Sequence, residues 1–135
     1  MRMFLPNRKA SILVPSGPPH DPDRKHLFIV VSDPVTDEHL VLLVSISSVK
    51  PNIWNDESCL LYKGEHPFIT KDSFVDYGYA RIESAEKLLR GVESGKLVPH
   101  DPVSDDVFQR ICQGLMASRR TPMDIKRFFL LHCIE

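Results

Sequence analysis

The chain is predicted to fold as an α+β domain, with antiparallel strands over residues 11–82 and helices over residues 83–135. Three observations carry that prediction. Two nearly continuous apolar runs, His26–Ser32 and Leu40–Val49, are rich in β-branched and aromatic residues and show no helical stripe. A polar segment, Asp33–His39, separates them and holds Pro34 and two aspartates, the composition of a chain reversal. From Glu83 onward, apolar residues recur at helical spacing behind residues that cap helices. With 135 residues the chain is one domain around a single core.

In order along the chain, residues 1–10 are mixed and read as a short arm. Ser11–Val14 predicts a brief strand that Pro15 ends. Residues 15–24 hold four prolines and a glycine, so they form a loop: proline removes a ladder donor and restricts φ. A loop of that length in a small domain is more often functional or mobile than a passive connection. The two central runs then predict an antiparallel pair. Because each is continuous rather than alternating, both faces of the pair are expected to be buried. Residues 50–57 make a second loop, which carries the only tryptophan, Trp54. Ser58–Tyr62 reads as a short strand and Lys63–Glu65 as a turn. His66–Ile82 reads as one or two strands with a break near Lys71–Asp72.

The helical part begins where Ser84 caps Ala85–Arg90, a helix that Gly91 and Gly95 end. Lys96–Pro102 is a connection. Ser104 caps a second helix, with Asp105 and Asp106 in the first turn opposing its dipole. Val107, Phe108, Ile111, Cys112, Leu115 and Met116 line one face of it. Thr121 is expected to cap a third helix, with Pro122 at its first position and Asp124 completing a capping box. That helix runs through Ile125, Phe128, Phe129 and Leu131.

Composition excludes several function classes. A net charge of −1 gives no overall basic field, so any polyanion site must be a local patch. The three cysteines, Cys59, Cys112 and Cys133, cannot all pair within the chain, and no C-x-x-C is present, which predicts a reduced, cytoplasmic protein. No signal peptide and no membrane partner are expected, because no apolar run is long enough. No two of the six histidines stand at i, i+4 on a predicted helix, and the Cys59–His66 interval is not a zinc spacing. No metal and no cofactor are therefore expected, and Cys59 reads as a buried core thiol. A P-loop, a G-x-G-x-x-G and a G-x-S-x-G are all absent from the sequence.

The chemistry concentrates at the polar ends of the central runs. Arg24, Lys25 and His26 enter the first run from the proline-rich loop, and Ser45, Ser47 and Ser48 close the second. Antiparallel pairing brings those ends together. Taken singly, the charges read as a solvated edge and the serines as a strand end bonding local backbone. Taken together, they unite a cation for developing phosphorane charge, a proton carrier and hydroxyls for phosphate oxygens. A second set, His66, Lys71 and Ser73, lies in the Gly64–Val75 segment, where His66 also reads as a turn residue fixed by Pro67.

Lys25–Ser32 and Leu43–Ser48, following a proline-bearing loop, resemble the first two central strands of the PemK/MazF-type toxins. The resemblance covers residues 12–50. Lys25 or His26 stands nearest the family's catalytic arginine position, and Ser47 and Ser48 stand where threonine is expected. It implies a small SH3-like antiparallel β-barrel with C-terminal helices, acting as a metal-independent endoribonuclease on single-stranded RNA. It also implies a cognate antitoxin as partner and leaves room for a homodimer. In that reading His26 or His66 is the base that activates an RNA 2′-OH, and Lys25 or Arg24, with Ser47 and Ser48, stabilises the phosphorus oxygens. Lys71 and Ser73 join Arg24 in holding substrate. The alternative is a barrel that binds a protein or nucleic acid through the same edge without catalysis, which the near-neutral charge favours.

Overall fold

The two apolar runs form the middle of one sheet. The computed structural model describes residues 4–133. Six strands, β1 (Ser11–Pro15), β2 (Lys25–Val30), β3 (Leu40–Ser48), β4 (Leu60–Leu61), β5 (Ser73–Ser84) and β6 (Val98–His100), pair antiparallel in the order β4-β5-β3-β2-β1-β6. Three helices accompany them, α1 (Ala85–Glu93), α2 (Asp105–Ala117) and α3 (Met123–His132). The chain is α+β, with the strands first and two helices last.

β2 and β3 pair from Leu27 opposite Ile46 to Val30 opposite Leu43. Val35 and Leu40 exchange backbone hydrogen bonds to close the reversal, in which Thr36 and His39 adopt φ of 69° and 54°. Pleating sends alternate residues to opposite faces. Leu27, Ile29, Leu42, Val44 and Ile46 pack with Val107, Ile111 and Leu115 of α2 and with Ile125, Phe128 and Phe129 of α3. Phe28, Val30, Val41 and Leu43 pack on the other face with Ile12, Val14 and the α1 residues Ala85 and Leu88. Both faces are buried, which is why neither run alternates.

β5 bends sharply: Ser45 pairs with Asp76 but Leu43 with Arg81, so Val44 faces four residues, Tyr77–Ala80. The sheet curls until its two edges approach. β4 and β6 lie at opposite ends of the strand order, yet His66, just after β4, donates Nε2–H to the carbonyl of Asp101, just after β6, at 2.6 Å. On the helical side, Tyr77 donates its hydroxyl to Ile111 O at 2.6 Å. Gly114 lets α2 sit this close. A Cβ there would collide with the Tyr77 hydroxyl and lie 2.9 Å from Ser58 O.

Several elements differ from the sequence expectation. Residues 66–72 are loop, and a single strand begins at Ser73. The strand expected over Ser58–Tyr62 is reduced to two residues. β6 lies within the supposed connection Lys96–Pro102, and Pro99, which has no N–H, suits its edge position. Ser84 and Ser104 cap their helices through side-chain bonds, but Thr121 does not: its Oγ1 donates to Leu115 O at 2.8 Å, tying α3 back onto α2. The cap position of α3 is Pro122, without a side-chain bond. Leu131 is exposed. Among the described residues no helix is long and apolar enough to cross a membrane.

Candidate functional site

The polar ends of β2 and β3 form one wall of a cleft of about 440 Å³. Arg24, Lys25, His26 and Leu27 come from β2 and its approach, and Ile46, Ser47, Ser48 and Lys50 from β3 and its exit. The opposite wall is the loop Pro67–Lys71 with Ser73, and His100 of β6 completes it. Four cationic side chains and two imidazoles line the cleft, and no carboxylate does. Arg24, Lys25, Lys50 and Lys71 are all exposed, as the hydration of a lysine or arginine head requires.

The β2–β3 register sorts the first wall. Lys25 and Ser48 share the pleat face of Leu27 and Ile46, whereas His26 and Ser47 share that of Phe28 and Ser45. All four border the cleft because it lies across the strand ends. His26 is half-buried, and its Nδ1 lies 2.7 Å from Ser16 Oγ. Burial lowers its pKa below the ordinary 6.5, and the Arg24 and Lys50 charges push the same way, with Asp76 opposing. Ser16 Oγ also donates to Val14 O at 3.2 Å. Both bonds are satisfied when Nδ1 carries the hydrogen, which leaves the Nε2 lone pair as a base.

His66 is arranged differently. It is buried, its Nδ1 accepts from Phe68 N at 3.0 Å, and its Nε2 donates to Asp101 O. Ser11 Oγ, buried beneath, also donates to Asp101 O and lies 3.2 Å from the same ring nitrogen. Both ring nitrogens hold backbone, so His66 shapes the loop wall from behind and does not line the cleft. His100 packs against it with ring planes tilted by 53° and centroids 4.9 Å apart, and Phe68 meets His100 edge-on at 5.9 Å. His100 Nδ1 accepts from Asp101 N at 2.8 Å, placing the hydrogen of its neutral form on Nε2. Ser73 donates Oγ to Lys71 O at 2.9 Å and pairs across the sheet with Ser48.

The structure therefore brings Arg24, Lys25, His26, Ser47, Ser48, Lys71 and Ser73 around one cleft, with His66 behind it. Sequence reasoning missed Lys50, Thr70 and His100. Lys50 stands two residues beyond Ser48, and the end of β3 is signal enough. His100 had no such signal, because β6 is only three residues long.

The cysteines stay outside this chemistry. Burial pushes the Cys59, Cys112 and Cys133 thiols up to about 11, so they remain protonated and unreactive near neutrality. Among the described residues no group of three histidine, cysteine or carboxylate side chains is placed to hold a metal ion. No protein-family model, curated protein or solved structure matches the chain.

Proposed function

We propose that the protein is an SH3-like barrel whose strand-end cleft binds single-stranded RNA and cleaves it without a metal, in the manner of the PemK/MazF-type toxins that its central strands resemble. One observation carries this reading. A chain with net charge −1 gathers Arg24, Lys25, Lys50 and Lys71 around a single cleft that no carboxylate lines. Such a cleft attracts a phosphate backbone although the whole molecule has no basic field. The curl of six strands until their edges meet through His66 supports the barrel.

In this mechanism His26, neutral near pH 7 because its pKa is lowered, takes the proton of a 2′-OH through Nε2. The freed oxygen attacks the adjacent phosphorus. Lys25 and Arg24 stabilise the charge that grows on the phosphorus oxygens, and Ser48 donates its hydroxyl to one of them. The 5′-oxygen leaves with a proton taken from solvent, giving a cyclic phosphate and a 5′-hydroxyl end, and His26 Nε2–H returns its proton to solvent afterwards. Lys50, Lys71 and Thr70 hold the flanking phosphates. In the cytoplasm a cognate antitoxin would silence the site by covering the cleft.

A second reading, binding without cleavage, is favoured by one detail: the pleat puts His26 and Lys25 on opposite faces. The purified protein, freed of any partner, decides between them. It should cut single-stranded RNA in excess EDTA, leave a cyclic phosphate and spare the matching DNA, which lacks the 2′-OH. RNA bound but uncut would establish the binding module. RNA neither bound nor cut would remove both.

A further inference from the structure

On the other side of the sheet, α1 stands over β1, β3 and β5 and leaves a groove of about 500 Å³ that shares no residue with the cleft. Val14, Leu43, Leu88 and Leu97 give it an apolar floor. Its charges are one-sided: Arg81, Lys87, Arg90 and Lys96 face a single carboxylate, Glu83. Two of the four cations are already paired. Lys87 Nζ lies 3.3 Å from Glu83 and Arg90 Nη1 lies 2.6 Å from Glu86.

Arg81 is the unusual member. It is half-buried, and its guanidinium lies 4.5 Å from the Phe28 ring centroid, which holds it against the sheet. Its Nε is buried with no hydrogen-bond partner, and among the described residues it has no carboxylate within ion-pair distance. Only Nε is withdrawn from water, but a buried guanidinium N–H without an acceptor is costly, and such a group calls for an anion. Lys96, which makes no ion pair among the described residues, adds a second cation at the rim, and the volume lies in the range of small-molecule sites.

We propose that this groove binds a small amphipathic anion, with an oxyanion head against Arg81 and Lys96 and an apolar body over Leu88 and Leu97. The proposal does not depend on the RNA reading. The test is amide NMR of the intact protein titrated with octanoate, octanol or inorganic phosphate. Octanoate should shift the amides of Arg81, Leu88, Gly91 and Leu97 saturably. Octanol lacks the charge and phosphate lacks the apolar body, so each should bind at least about tenfold more weakly. Arg81→Gln should weaken octanoate about tenfold at an unchanged fold, and Leu97→Trp, which fills the groove, should abolish the shifts. If Arg81→Gln does not fold, Lys96→Gln takes its place, with a loss of about threefold or more. Octanoate that shifts no groove amide, octanol or phosphate that binds as tightly, or octanoate affinity unchanged in the folded variants would overturn the proposal.

Discussion

The two walls of the cleft each carry a histidine, and the two rings are held in opposite ways. His26, at the end of a buried strand, is anchored by one nitrogen to the Ser16 hydroxyl. His66, beneath the loop wall, gives both nitrogens to backbone groups of Phe68 and Asp101. A ring with one nitrogen tied keeps a lone pair for chemistry, whereas a ring with both tied is a clamp between the sheet edges. What a histidine does is decided by its hydrogen bonds, and side-chain type and proximity to a cleft are insufficient guides.

The sharpest way to break that contrast is substitution of each ring in turn. His26→Ala should slow RNA cleavage on the order of 100-fold while the thermal midpoint hardly moves. His66→Ala should do the reverse. It orphans the Phe68 amide and one bond of the Asp101 carbonyl, so a urea titration should show a loss of roughly 1–3 kcal/mol. If His66→Ala abolishes cleavage at unchanged stability while His26→Ala cuts normally, the roles are exchanged.

The pH profile sharpens the comparison further. Because the folded pKa of His26 is lowered, the acidic limb of kcat/KM should lie below the ordinary 6.5. The linked stability has the same sign. Between the two pKa values the unfolded chain binds more protons, so the contribution of His26 is present above 6.5 and is lost as pH falls below it. Abolition of the limb by Ser16→Ala would be unexpected, since the ring itself remains.

The smallest effect belongs to the loop wall. Lys71→Ala should leave the chemistry intact and reduce the slope of log affinity against log salt by about 0.7, the value for one contact to a single strand. An unchanged slope would place Lys71 outside the path of the backbone.

The difference between the walls also explains how much of the site was legible beforehand. The strand-end wall follows from local rules: two continuous β-branched runs and the short polar reversal Asp33–His39 impose the pairing of Leu27 with Ile46, and the polar ends come together with it. The loop wall obeys no local rule. Residues 66–72 have the aromatic and β-branched content of a strand but lie in a loop, because Pro67, the local His66 bond to Phe68 N and its distant bond to Asp101 O override propensity. β6 was illegible for the same reason, since three residues containing a proline pair with β1 only once the chain has returned to that edge.

By itself, the sequence determined the α+β order, the buried central strands, the caps at Ser84 and Ser104 and the meeting of Lys25 and His26 with Ser47 and Ser48. Each of these depends on residues close in the chain or on one short reversal, so periodicity and turn chemistry suffice. Only the tertiary structure decided that the second wall closes over those strand ends, that His66 is a clamp and that Arg81 holds a buried Nε with no hydrogen-bond partner among the described residues. Those outcomes join residues tens of positions apart, and burial and hydrogen-bond satisfaction choose among such contacts only after the sheet has curled.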